Sequence, residues 1–219
     1  MRAILPKNFK SGRGKSWKPG RFLLPDITPG EQLDLAKVFP ASPSQPVEIE
    51  IGVGKGTFIV DRAGRRGDVN FLGIEYAKSY AVYVADRLGR AGLENARMLC
   101  ADAGAVFAQA LGDASVMRVH IYFPDPWPKR RHNIRRLIQP AFISHVRRVL
   151  KPGGQLLLVT DHRDYFEQML RTMNNFPHLA RTPYPNLHDD SPYIVGTNFE
   201  RKYAKEGRPI FKRAFLKYE

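Results

Sequence analysis

Short runs rich in β-branched and aromatic residues recur along the chain, at 47–51, 70–74, 96–100, 118–123 and 155–160. Between them lie stretches whose apolar positions repeat at helical spacing, at 57–65, 78–90, 103–111 and 137–150. Strands that alternate with helices need right-handed crossovers, and those crossovers cover a mostly parallel sheet on both faces. The fold class is therefore α/β. A further helix is expected over 163–174. After it, 178–184 and 209–217 read as strands with no convincing helix between them, so they are expected to pair antiparallel at one sheet edge. No internal repeat is present.

Upstream of this alternation the pattern is different. Residues 1–21 carry Arg2, Lys7, Lys10, Arg13, Lys15, Lys18 and Arg21 without one acidic residue, and Gly12, Gly14, Pro19 and Gly20 discourage regular structure. Prolines recur from Pro25 to Pro46, with a short helix expected over 31–38 behind Thr28 or Gly30 as its cap. The chain thus divides into a basic arm and lead-in (1–46) and one core domain (47–219).

Charge sharpens this picture. The 219 residues carry 35 Lys and Arg against 21 Asp and Glu, a formal +14, which points to a polyanionic partner, most often nucleic acid. One cysteine, Cys100, excludes an internal disulfide framework and fits a reducing compartment. No signal-peptide or membrane-spanning stretch is read, and the expected location is the cytoplasm. The six histidines lack metal-ligand spacing, His120 and His145 read as core residues, and His188-Asp189-Asp190 reads as a solvated loop, so no metal is expected.

Candidate chemistry begins at Gly52-Val53-Gly54-Lys55-Gly56-Thr57, a glycine-rich turn between a strand and a helix. Such a turn lets a ligand approach backbone amides. A dinucleotide fingerprint wants G-x-G-x-x-G, and here Thr57 stands where the third glycine would be. Glu50 precedes the turn, Glu75 ends the second strand and Asp102 follows the third. In an open parallel sheet these acids gather at the carboxyl edge, where such folds bind ligands. One can accept ribose hydroxyls, one can sit near an adenine amino group, and one can face an ammonium. S-adenosylmethionine carries all three groups, and acids crowding the turn would repel a pyrophosphate.

The fourth strand ends in Phe123-Pro124-Asp125-Pro126-Trp127-Pro128-Lys129, where three prolines in five positions enforce a stiff loop at the ligand edge. Asp125 lies between two of them, and Trp127 offers a flat face that either stacks on a base or packs under the loop. Arg130, Arg131, Arg135 and Arg136 follow, and together with Lys129, Arg201, Lys202 and Lys205 they are expected to track phosphates.

These motifs occur in order with Arg131-His132, Lys151-Pro152-Gly153-Gly154, Thr160-Asp161 and Thr197-Asn198-Phe199-Glu200. The chain from about Val47 onward resembles the bacterial tRNA (guanine-N(7)-)-methyltransferase family. The resemblance implies a Rossmann-like class I methyltransferase with a mostly parallel seven-stranded sheet and an antiparallel strand near the C-terminus. It implies S-adenosylmethionine as donor and the guanosine at tRNA position 46, in the variable loop, as acceptor. Glu50, Gly52, Gly54, Gly56, Glu75, Asp102 and Asp125 are then expected to line the donor site, with Asp125 catalytic. Lys129, Asp161, Thr197, Asn198, Phe199 and Glu200 match substrate-binding positions. Two other readings stand beside it: an exocyclic amino methyltransferase, since Asp125-Pro126 with Trp127 is similar to the Asp-Pro-Pro-aromatic loop used on amino groups although the order here is Pro-Asp-Pro-Trp, and a catalytically silent RNA-binding module. A nicotinamide-dependent oxidoreductase is disfavoured by the displaced third glycine. The oligomeric state, monomer or homodimer, is not legible.

Overall fold

The computed structural model describes residues 17–28, 30–187 and 192–219. Most of the basic arm and the His188-Asp189-Asp190 segment lie outside the described residues. Seven strands form one sheet in the order β3-β2-β1-β4-β5-β7-β6. They are β1 (Val47–Ile51), β2 (Asn70–Glu75), β3 (Ala96–Cys100), β4 (Val116–Tyr122), β5 (Leu150–Thr160), β6 (Leu179–Thr182) and β7 (Phe211–Lys217). The pairs among β1 to β5 are parallel, and β7 runs antiparallel to both β5 and β6. Strand order reverses at β1 and β4, so a crevice is expected beyond their carboxyl ends.

Helices α2 (Thr57–Arg65), α3 (Lys78–Arg90), α5 (Pro140–Val149) and α6 (Arg163–Met173) cover the sheet. Because both faces are covered, the alternation Val47-Glu48-Ile49-Glu50-Ile51 leaves no wet side, and all five residues are buried. Two carboxylates of β1 are thereby forced into the interior on one face. Each then needs a reason to be there.

Several expected boundaries move. The helix expected over 31–38 shrinks to α1 (Leu35–Val38), because Thr28 and Glu31 bond each other and Asp34 caps the helix by accepting from the Ala36 and Lys37 amides. The helix expected over 103–111 is α4 (Ala103–Ala105) running into a π-helical segment (Val106–Ala110). α5 starts at Pro140 rather than 137, since proline suits a first turn and Arg136 and Gln139 are extended. The largest correction is α7 (Asn198–Lys205), which lies between β6 and β7 where no helix was expected. Its sequence is strongly polar, Glu200 is its one buried residue, and the single aromatic pair Phe199 and Tyr203 is too short an apolar repeat to mark a helix in the sequence.

The lead-in packs on the domain. Phe22 is buried beside Gly89, the Leu24 amide donates to the Met98 carbonyl at 2.8 Å, and the Leu33 amide reaches the Ala110 carbonyl at 2.8 Å.

Candidate active site

The turn after β1 is built from glycines that only glycine could replace without cost. Gly54 (φ +54°) donates its amide to Glu75 Oε2 at 2.9 Å, and the other oxygen of Glu75 accepts the Ala77 amide at 2.9 Å. Gly56 (φ +71°) caps α2 so close to α3 that a Cβ there would stand 2.6 Å from Val84 Cγ1. At Gly52 and Gly54, by contrast, a Cβ would meet nothing within 4 Å, so the bare backbone faces open space.

That space is a cavity of about 400 Å³. Glu50, Gly52, Gly54 and Thr57 from the turn and its flanks, Tyr80, Tyr122, and Thr197, Asn198, Phe199 and Lys202 line it. Glu50 is 4% exposed, and its Oε2 is buried without a hydrogen-bond partner. Burial, then the neighbouring Glu75 charge, pushes its carboxyl well above the ordinary range despite one bond from the Ile59 backbone. A cationic ligand group beside Glu50 would supply the missing partner, and the ammonium of an amino-acid moiety fits. A bare-backbone cradle and an unsatisfied buried carboxylate together fit S-adenosylmethionine, while Glu75, which braces the turn, is not itself part of the cavity lining.

Beneath the cavity, β1 and β4 share a polar chain. Arg118 Nη1 donates to Glu48 Oε1 at 3.1 Å, His120 Nε2 meets Glu48 Oε2 at 2.8 Å, and His120 Nδ1 meets the Tyr122 hydroxyl at 2.6 Å. Burial works against the Glu48 charge, but His120 and Arg118 outweigh it and bring the carboxyl down to about 2. Burial pushes the His120 pKa down. The Glu48 carboxylate can only accept, so His120 Nε2 donates to it. The chain fixes Tyr122 on the cavity wall, and His120 is a structural residue.

The remaining expected site residues are spread along the rim. Asp102 caps α4 by accepting the Ala105 amide at 2.9 Å and lines a separate groove of about 260 Å³ with Asp26, Glu31 and Cys100. Asp125 and Lys129 are exposed on the loop after β4 and do not line the cavity. Asp161, after β5, accepts from Arg208 at 3.1 Å. Thr197 caps α7 by accepting the Glu200 amide at 3.1 Å, and Asn198 Nδ2 donates to Thr57 Oγ1 at 2.7 Å, joining α7 to α2 across the cavity mouth. Glu200 points inward, 2% exposed, and accepts the amides of Ile194, Val195 and Gly196. In this structure it shapes the loop that brings Thr197 and Phe199 to the cavity. Phe199 is half exposed, with ring centroids 6.3 Å from Phe123 and 6.0 Å from Tyr203.

Sequence reasoning missed Thr57, Tyr80 and Tyr122, and it placed Lys202 only among the basic residues. It also missed α7, although Thr197-x-x-Glu200 has the spacing of a capping box and marked the helix start. One assignment is corrected. Arg136, expected to meet phosphate, is buried and bonded within the protein. Trp127 sits beside Arg135, whose guanidinium carbon lies 5.0 Å from the ring centroid, and edge-on to His132. Among the described residues, no group of three or more His, Cys, Asp or Glu could hold a metal, and no helix is long and apolar enough to cross a membrane.

Known proteins resemble this chain at two levels. Solved methyltransferases share its fold: the aminoglycoside resistance methyltransferase NpmB1 superposes with a TM-score of 0.57 at 17% identity, covering 83% of this chain and 93% of that one. The Haemonchus contortus phosphoethanolamine N-methyltransferase 2 in complex with S-adenosyl-L-methionine gives 0.53 at 12%, covering 80% of this chain and 49% of that one. At such identities the likeness shows the fold alone. Sequence relatives are nearer. A tRNA (guanine-N(7)-)-methyltransferase of Rhodopirellula baltica is 38% identical over 180 residues, 79% of this chain and 66% of the relative. The enzyme of that name from Levilactobacillus brevis is 38% identical over 178 residues, 80% of each chain. The family model Methyltransf_4, described as "Putative methyltransferase", matches residues 44–213. The fold, the cradle and these relatives converge: the chain belongs to the tRNA (guanine-N(7)-)-methyltransferase family.

Proposed function

We propose that this protein transfers a methyl group from S-adenosylmethionine to nitrogen 7 of guanosine in tRNA, at position 46 of the variable loop, in the cytoplasm. The observation that carries the donor side is the buried, unpartnered Glu50 oxygen beside the glycine turn, facing a cavity that α7 also lines. The relatives' names support the acceptor. Residues 47–219 are the methyltransferase domain, and 1–46 are a basic arm and lead-in.

The donor, when bound, supplies a methyl group on a sulfonium. Glu50 and the Gly52 and Gly54 backbone would hold its amino-acid end, Glu75 would accept from its ribose, and Asp102, after β3, would be the acid for its adenine amino group. Guanine N7 carries a lone pair and no proton. It forms the new N–C bond as the C–S bond breaks, and the bonding electrons leave with sulfur. No proton moves, so no general base is required. The purine ring gains positive charge, and a carboxylate nearby stabilises charge that develops only during transfer. Asp125 has that role. Lys129, Asp161 and the 197–199 wall hold the nucleotide, with Phe199 as an aromatic surface and Lys202 as a cation beside it.

Incubating the protein with unmodified tRNA and methyl-labelled donor, followed by nucleoside analysis, tests the reading. Label in 7-methylguanosine at position 46 is expected. Label on an exocyclic amino group would favour the amino methyltransferase, and donor and tRNA binding without any label would favour the silent module.

A further inference from the structure

The loop that carries Asp125 cannot brace itself. Pro124, Pro126 and Pro128 have no amide hydrogen to donate, and two non-glycine residues of the segment, Phe123 (φ +50°) and Trp127 (φ +41°), hold left-handed backbone. Such conformations persist only where the surroundings impose them. The imposing contact comes from ten residues downstream. Arg136 Nε donates to the Pro126 carbonyl at 2.8 Å, Nη1 to Gln168 Oε1 at 2.6 Å and Nη2 to Asp164 Oδ2 at 2.6 Å. The guanidinium lies 4.8 Å from the Tyr165 ring centroid, and the side chain is 1% exposed. Gln168, Asp164 and Tyr165 all belong to α6, which β5 seats on the sheet. The peptide next to Asp125 is thus tied to a rigid helix through one arginine fork.

We infer that Arg136 is a positioning residue for the methyl transfer: it fixes the Pro126 carbonyl and so aims Asp125, and it makes no phosphate contact. This rests on the function proposed above for Asp125. The chemistry separates the two roles. A phosphate contact survives replacement of arginine by lysine, because either supplies a positive charge. A planar fork with three directed bonds and a ring face does not.

The test is Arg136→Lys in the full-length protein, measured by single-turnover methylation of tRNA, by tRNA binding across salt concentrations, and by acrylamide quenching of Trp127 in a Trp17→Phe background. The expected result is a rate at least tenfold lower, tRNA affinity and its salt slope unchanged within twofold, and greater quenching of Trp127 as the loop loosens. A rate within threefold of the parent would overturn the inference. So would weaker tRNA binding with a shallower salt slope in Arg136→Gln, which removes the charge that lysine keeps and would mark a phosphate contact. Should Arg136→Lys fail to fold, the double variant Asp164→Ala, Gln168→Ala removes the anchor from α6 and leaves the arginine. A rate drop of threefold or more with unchanged tRNA affinity is expected there, and an unchanged rate would overturn the proposal. If the parent itself leaves tRNA guanine unlabelled, the functional reading fails, while the quenching comparison still decides whether Arg136 holds the loop.

Discussion

Glu50 shows most clearly how one residue trades stability for binding. Its carboxyl is raised by burial and by Glu75, so the unfolded chain, with an ordinary value of 4.5, releases that proton more readily than the folded one. The contribution of Glu50 to folded stability is then greatest below 4.5 and falls as the pH rises towards the folded value. Glu50→Gln should therefore raise the melting temperature of the free protein at pH 7 while weakening donor binding at least tenfold, and thermal melts with calorimetry would read both. An ammonium beside Glu50 favours its charged form, so donor binding between about pH 5 and 7, below the titration of an α-amino group, should strengthen with pH and release protons. Buffers of different ionisation enthalpy measure that release. No proton release, with equal affinity at both ends, would remove Glu50 from the ammonium subsite. Asp125 is tested by rate. Asp125→Ala should slow single-turnover methylation about a hundredfold, the usual effect of losing one preorganised electrostatic group. A loss under threefold, less than ~1 kcal/mol, would reassign it. Glu50 could be named because it stands two residues before the glycine turn, and the structure places it in the cavity lining, whereas Glu75 and Asp125, named by the same strand-end reasoning, do not line that cavity. Glu200 could be named but its direction could not be read, since nothing in its neighbours along the chain shows that three amides converge on it.

At the scale of elements, the glycine turn separates packing from ligand approach. Gly56→Ala forces a methyl group into Val84 and holds a left-handed residue, and should cost at least about 2 kcal/mol of stability by urea denaturation. Gly54→Ala meets empty space in the free protein, so its stability cost should stay near ~1 kcal/mol while donor affinity collapses, because the added methyl occupies the cradle. Equal stability losses would mean that the two glycines share one structural role. The βαβ alternation was readable because each element buries one face and so keeps its period. Other stretches were read less well for the same reason. α7 buries only a capping acid, and the π-helical turn after α4 breaks the 3.6-residue repeat. β5 begins at Leu150 and runs through Pro152-Gly153-Gly154, ahead of the strand expected over 155–160.

For the whole molecule, net charge and its placement predict how tRNA is held. Lys129, Arg130, Arg131 and Arg135 are exposed after β4, and Arg201, Lys202 and Lys205 crown α7. With Arg136 removed from the set, tRNA affinity should still fall steeply with salt, as each phosphate neutralised releases counterions. Affinities measured by filter binding from low to moderate salt check this, and a flat profile would place the contacts elsewhere. Charge was readable from the sequence, but which cations are turned inward was not, since Arg135 and Arg136 are neighbours with opposite fates. β7 enters the sheet between β5 and β6, and β6 has no other sheet neighbour. During synthesis, β6 and α7 must emerge before any strand exists to receive β6. A nascent chain can complete its glycine cradle early, yet until β7 docks the wall made by residues 197–199 has the Asn198–Thr57 bond but no sheet-seated β6 behind it. Catalytic competence should therefore arrive in one late event, and ribosome-stalled chains ending before residue 211 should remain silent on tRNA even where the donor binds.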